Sequence, residues 1–128
     1  MKKLLLSLFI FISCSNIAYS ETVLLFFWGD GCPHCANAKP FLQELSSKYP
    51  SLKVQSYEVY KNKDNLKTFK EVCTNYNSKP TAVPAFFVGN YKPVFGFSDK
   101  IKTKITKMVT NCSSKKCINP LNKKNVDE

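Results

Sequence analysis

From Thr22 to Trp28 the chain is an unbroken apolar and aromatic run of strand length; three residues later, after Gly29-Asp30-Gly31, it reads Cys32-Pro33-His34-Cys35 and passes into a helical pattern. A run with no polar alternation is the signature of a strand buried on both faces, which belongs at the centre of a sheet covered on both sides. Two thiols three positions apart close a disulfide across one turn only where the backbone is held there, and a strand feeding a helix N-terminus supplies that hold. The placement points to redox chemistry. The unsatisfied N–H groups and positive dipole end of the helix favour negative charge on the first sulfur, so the Cys32 thiol pKa is expected to fall from about 8.5 into the range of roughly 3.5–7.5. Cys32 is the expected nucleophile. Cys35, one turn further in, is the expected resolving thiol that attacks the mixed disulfide. The alternative is half of a zinc site, but a closed site needs about four ligands, and no second C-x-x-C follows. No metal and no cofactor beyond the redox-active Cys32–Cys35 disulfide is expected.

Residues 1–20 read as a signal peptide: Lys2 and Lys3 form a basic start, Leu4 to Ile12 an apolar stretch, and Ala18-Tyr19-Ser20 a cleavage site before Glu21. The apolar stretch is shorter than the roughly 20 residues a spanning helix needs, and no later segment is longer. Phe11-Ile12-Ser13-Cys14 supports a second reading, a lipoprotein box with Cys14 lipidated, and only then is membrane contact expected. Either way the chain is expected to be periplasmic or secreted, where disulfides persist. Residues 21–112 suffice for one small domain with one core, and residues 113–128 read as a polar, lysine-rich tail.

All 19 basic residues are lysine; without Lys2 and Lys3, 17 remain against 9 acids, a net charge of +8. Such an excess suits anionic surfaces or acidic partners. Nucleic acid is not expected, because the chain has no arginine for bidentate base and phosphate contacts and no basic motif of a known reader. A solvated lysine surface accounts for most of the charge.

A helix is predicted from Pro33, a first-turn proline, with Ala36, Phe41, Leu42, Leu45 and Tyr49 on one face and Pro40 kinking its interior. Leu52 to Tyr60 alternates as a less buried strand. Asn62 or Asp64 caps a second helix carrying Leu66, Phe69, Val72, Cys73 and Tyr76 and ending near Asn77. Then come Val83-Pro84, a strand over 85–88, a turn at Gly89-Asn90, and an antiparallel partner over 91–97 that Pro93 confines to a sheet edge. Ser98 caps a last helix to about Thr110, with Ile101, Ile105, Met108 and Val109 inward and Lys100, Lys104 and Lys107 outward. From Ser113 no periodicity survives, and a mobile tail is expected. The order predicts an α/β domain: a four-stranded mixed sheet, helices on both faces, its first two strands joined by a right-handed crossover.

The sequence resembles the thioredoxin superfamily over nearly all of residues 22–110. Four features carry the resemblance: Phe27-Trp28, Cys32-Pro33-His34-Cys35, Pro40 five residues past the second cysteine, and Val83-Pro84 before the hairpin. It implies a thioredoxin-like domain of minimal, glutaredoxin-like size, because the strand and helix that precede the dithiol strand in thioredoxin are missing. It also implies a cis proline at Pro84 beside the dithiol, and a substrate-docking groove lined by Trp28, Val83 and Pro84. The Pro-His pair is similar to that of DsbA-type oxidases, whereas thioredoxin carries Gly-Pro. His34 can place charge or a ring N–H near the Cys32 sulfur, and a stabilised reduced form makes the disulfide a stronger oxidant.

There are two departures. Residues 36–83 leave no space for the helical domain that DsbA inserts, and Phe26 stands six residues before Cys32 where thioredoxin and DsbA have a buried carboxylate. Glu58, on the adjacent strand, is the nearest alternative for proton transfer. The expected activity is thiol–disulfide exchange with client proteins bearing cysteines, in the oxidising direction, served by a membrane or soluble redox partner. A reductase, for example of apocytochrome thiols, and a non-enzymatic dithiol or metal-binding module are the competing readings. Five cysteines remain after cleavage, so one is unpaired or pairs between chains; a local Cys112–Cys117 disulfide with Cys73 as a buried thiol is the simplest arrangement.

Overall fold

A computed structural model describes residues 20–125, so the leader reading and Cys14 lie outside the described residues. Strand β1 (Thr22–Trp28) pairs in parallel with β2 (Leu52–Glu58) and antiparallel with β3 (Ala85–Val88), which pairs with β4 (Val94–Phe95); the sheet order is β2-β1-β3-β4. Helices α1 (Pro33–Lys48), α2 (Lys63–Asn75) and α3 (Asp99–Ser114) and a short 3-10 turn, η1 (Pro120–Asn122), complete the chain. No helix among the described residues is long and apolar enough to cross a membrane.

Alternation along β1 divides the core in two. Leu24 and Phe26 pack with Cys35, Ala38, Leu42 and Leu45 of α1 and Ile105, Val109 and Cys112 of α3. Val23, Leu25 and Phe27 pack with Phe69, Val72 and Cys73 of α2. Phe26, Phe27, Phe86 and Phe87 are all fully buried, each contributing roughly 1.5–3 kcal/mol through apolar burial. On the α2 side Phe27 stacks on Phe69 at 4.8 Å and meets Phe87 edge-on at 5.5 Å. β2 lies at the sheet edge and exposes Lys53 and Ser56, which is why its sequence is more polar.

Asn62 caps α2, its side chain accepting the Asn65 N–H at 3.0 Å. The helix closes with Ser78 N–H donating to Cys73 O and Asn77 N–H to Thr74 O, while Asn77 takes φ 52°. These are the two bonds of a Schellman close, with asparagine tolerating the left-handed position.

The sequence expectations need three corrections. Ala36 is exposed, and Ala38 is the buried alanine. Burial of Cys35 sets the helix phase, so the inward stripe runs 35, 38, 42, 45. The expected strand over 91–97 shrinks to Val94–Phe95, because Pro93 has no N–H for the ladder and Gly96, at φ 87°, turns the chain away.

The third concerns the tail. α3 extends to Ser114, since Cys112 continues the stripe of Ile105 and Val109 into the core. A Cys112–Cys117 disulfide then turns the chain back, Pro120 is fully buried, and Lys123 Nζ lies 5.2 Å from the Tyr76 ring centroid on the α2 side. The segment is therefore anchored at Cys117 and Pro120, while residues 113–116, Ile118, Leu121 and Asn122 are exposed. Its apolar contacts are too few and too irregularly spaced to register as a period.

Candidate active site

The dithiol lies where β1 hands over to α1. Gly31, at φ 82°, makes the turn, and Cys32 N–H donates to Gly29 O at 3.1 Å. Cys32 is the N-cap of α1: its sulfur lies 3.2 Å from the Cys35 backbone nitrogen, and its carbonyl accepts the Ala36 N–H. Pro33 occupies the first helical position, where its missing N–H costs nothing. Cys32 and Cys35 form a disulfide with Cα atoms 5.2 Å apart; Cys35 is buried and Cys32 only partly so. His34 is exposed on the first turn, and Pro40 lies within α1, also exposed.

The Val83–Pro84 peptide bond is cis, Pro84 is fully buried, and the Val83 carbonyl oxygen lies 4.0 Å from Cys32 Sγ. The disulfide sulfur carries no proton, so this is a contact that a reduced thiol would turn into a weak hydrogen bond. Trp28 is half-buried at the end of β1, with Lys39 Nζ 3.5 Å from its ring centroid. Trp28, Lys39, Asp30, Cys32 and Pro33 line a shallow cleft directly beside the disulfide. The fold thus brings Trp28, Cys32, Cys35, Val83 and Pro84 to one end of the sheet. Cys112 and Cys117 lie at the opposite end, against Gly89 after β3.

Phe26 is buried in the same cluster as Cys35, so hydrocarbon fills the place where the resemblance put a carboxylate. Glu58 is occupied otherwise. Its carboxylate accepts backbone N–H bonds from Asp30 at 2.8 Å, Tyr60 at 3.2 Å and Lys61 at 2.6 Å. Desolvation pushes the Glu58 pKa up, but the N–H groups of Lys61, Asp30, Tyr60 and Asn62 together outweigh it and hold the carboxyl below its ordinary value. Asp30 is also held low, by its hydrogen bond and charge attraction to Lys61. Sequence reading missed Asp30, Lys39 and Lys61. The four-residue spacing of Lys39 from Cys35 on one helix could have flagged Lys39 as a neighbour of the dithiol, whereas nothing local pairs it with Trp28 or Asp30 with Lys61. Among the described residues no three His, Cys, Asp or Glu side chains converge as metal ligands.

A parallel β-α-β unit that presents a two-cysteine disulfide at a helix N-terminus, beside an X-Pro loop, defines a thiol–disulfide oxidoreductase. The thioredoxin family model matches residues 14–111, and the chain belongs to the thioredoxin family. Among solved structures it is similar to a candidate thiol:disulfide interchange protein DsbE from Chlorobium tepidum (15% identity, TM-score 0.55, covering 73% of this chain and 80% of that one). It is also similar to mitochondrial thioredoxin 3 from Saccharomyces cerevisiae (21%, 0.51, 69% and 78%). A third likeness is thioredoxin O2 from Arabidopsis thaliana (20%, 0.54, 73% and 76%). At these identities the likeness is one of fold. Comparison with curated proteins finds no match.

Proposed function

We propose that the protein is an exported oxidant of protein thiols, with Cys32 as the exchanging sulfur, Cys35 as the resolver and His34 as the residue that tunes their potential. Trp28 and Val83 line the client-docking groove, and Pro84, fully buried, positions the Val83 carbonyl beside Cys32. The observation that carries the reading is the Cys35 N–H set 3.2 Å from Cys32 Sγ at the helix N-cap. An anion there gains a hydrogen bond and the favourable end of the dipole, which stabilises the reduced enzyme and makes its disulfide more oxidising.

In the forward direction a client thiolate attacks Cys32 Sγ. The Cys32–Cys35 bond breaks, its electron pair leaves on the Cys35 sulfur, and that sulfur takes up a proton. A second client thiolate then attacks the client sulfur of the mixed disulfide and releases Cys32 as a thiolate. Two electrons move from the client to the enzyme, and a membrane or soluble redox partner must remove them. Export to the periplasm or outside the cell rests on the reading of residues 1–20.

The test is the equilibrium of the Cys32–Cys35 couple with glutathione. A potential nearer the roughly −120 mV of strong oxidants than the roughly −270 mV of thioredoxin is expected, and a value at the thioredoxin end would make the protein a reductase. Mass spectrometry of the mature N-terminus tests export, with Glu21 expected first and a lipidated Cys14 as the contrary result.

A further inference from the structure

The parallel register of β1 and β2 ends with Trp28 opposite Glu58, so the loops leaving the two strands run side by side. One carries Gly29, Asp30 and Gly31 to Cys32; the other carries Val59 to Lys61 into the cap of α2. The Glu58 carboxylate stands between them. Oε2 accepts from Asp30 N–H in one loop and Tyr60 N–H in the other, and Oε1 accepts from Lys61 N–H. Lys61 Nζ reaches back to the Asp30 carboxylate, and the Tyr60 ring lies directly over Gly29. Gly31 alone has open space where a side chain would be.

We propose that Glu58 is a positioning residue for the dithiol: by tying the Gly29–Gly31 loop to the β2–α2 loop it keeps Cys32 at its partner and sets how readily the disulfide opens. Cys35 is fixed by burial inside α1. Cys32 reaches its place through the loop, so the effective concentration of one sulfur at the other depends on how tightly that loop is held. The inference rests on the exchange activity proposed above. In glutathione buffer the step is enzyme disulfide plus two glutathione thiols giving enzyme dithiol plus glutathione disulfide. Two electrons and two protons pass from glutathione to Cys32 and Cys35. A looser loop favours the dithiol side.

The experiment measures this equilibrium by alkylation and mass mapping of Cys32 and Cys35 in the processed protein, for wild type, Glu58→Ala and Glu58→Gln. Glu58→Ala is expected to shift it toward the dithiol by about fivefold, the scale of one or two net hydrogen bonds. Glu58→Gln should shift it less, because its amide oxygen can still accept from Asp30 and Tyr60. A Glu58→Ala equilibrium equal to wild type overturns the proposal. So does an equal shift in both variants, which would assign the effect to lost charge instead of the clamp. A wild type that does not cycle at all overturns the exchange reading first and this inference with it. Amide exchange in the wild type needs no variant to fold: the Asp30 N–H should be protected in the oxidised protein, and exchange at the rate of an unstructured amide overturns the clamp.

Discussion

Cys32 Sγ lies 3.2 Å from the backbone nitrogen of Cys35, so one residue is at once the cap of α1 and the disulfide partner of a residue in its first turn. When the disulfide opens, the sulfur that remains at the cap is the one the helix favours as an anion. Alkylation of reduced Cys32 against pH should therefore give an apparent pKa well under 8.5, within about 3.5–7.5. Given a client that carries a disulfide, Cys35→Ser should hold a mixed disulfide through Cys32 with one client thiol released, and Cys32→Ser should not. Trapping by Cys32→Ser alone would reverse the assigned order of the two sulfurs.

Burial pushes the Cys73 thiol from 9.0 up to about 11. It is fully enclosed beneath α2, so native protein at pH 8 should leave it unlabelled by a thiol reagent that reacts with it at once in urea. The linkage has a definite sign. The unfolded thiol loses its proton first, so the contribution is intact below pH 9 and declines as pH rises toward 11. Labelling as fast as a free thiol would place Cys73 at the surface.

Glu58 and Asp30 have folded pKa values below their ordinary ones. Their contribution is therefore present above the unfolded carboxylate range, about pH 4, and is lost as pH falls through the folded values. Urea midpoints measured downward from pH 6 should drop in that acid window, and the drop should be smaller in Glu58→Gln. A Glu58→Gln profile parallel to wild type would remove Glu58 from the acid response.

Gly89 and Gly31 both have positive φ, 51° and 82°, but only Gly89 is crowded: a Cβ there would stand 3.1 Å from Cys117 Cβ and 3.2 Å from Cys112 Sγ. Gly31→Ala should cost about 1 kcal/mol of backbone strain. Gly89→Ala should cost about 1–3 kcal/mol more, since the disulfide atoms it meets are tied at both ends. Equal losses by denaturant titration would argue against that packing.

The Cys112–Cys117 bridge closes a short loop, for which chain entropy gives about 2 kcal/mol. The paired Cys112→Ser/Cys117→Ser variant should lose about that much and expose the 115–125 segment to protease. The Cys32–Cys35 potential, at the far end of the sheet, should not move. A shifted potential would couple the two disulfides.

What can be read along the chain is whatever physics acts within a turn or two. The apolar run 22–28, the cysteine pair with Pro33 behind it, the cap at Ser98 and the inward stripe of α3 are all local patterns that appear at their expected places, and of the two caps expected for α2, Asn62 or Asp64, the structure takes Asn62. Resemblance added the X-Pro loop. Two of the errors are also local in origin, one residue of helix phase at Ala36 and a strand partner that Pro93 and Gly96 cut short; the third, the tail, was missed because its anchors at Cys117 and Pro120 leave no period.

The tertiary structure alone decided which loops touch. Asp30 meets Lys61 across 31 positions and Thr22 Oγ1 donates to the Cys112 carbonyl across 90, because strand register and helix docking set those distances. Neither leaves a periodic trace in the residues themselves. The sequence by itself determined that two sulfurs share a helix entrance. The packing of β1 against β2 determined that a glutamate from the next strand holds the loop that brings one sulfur to the other.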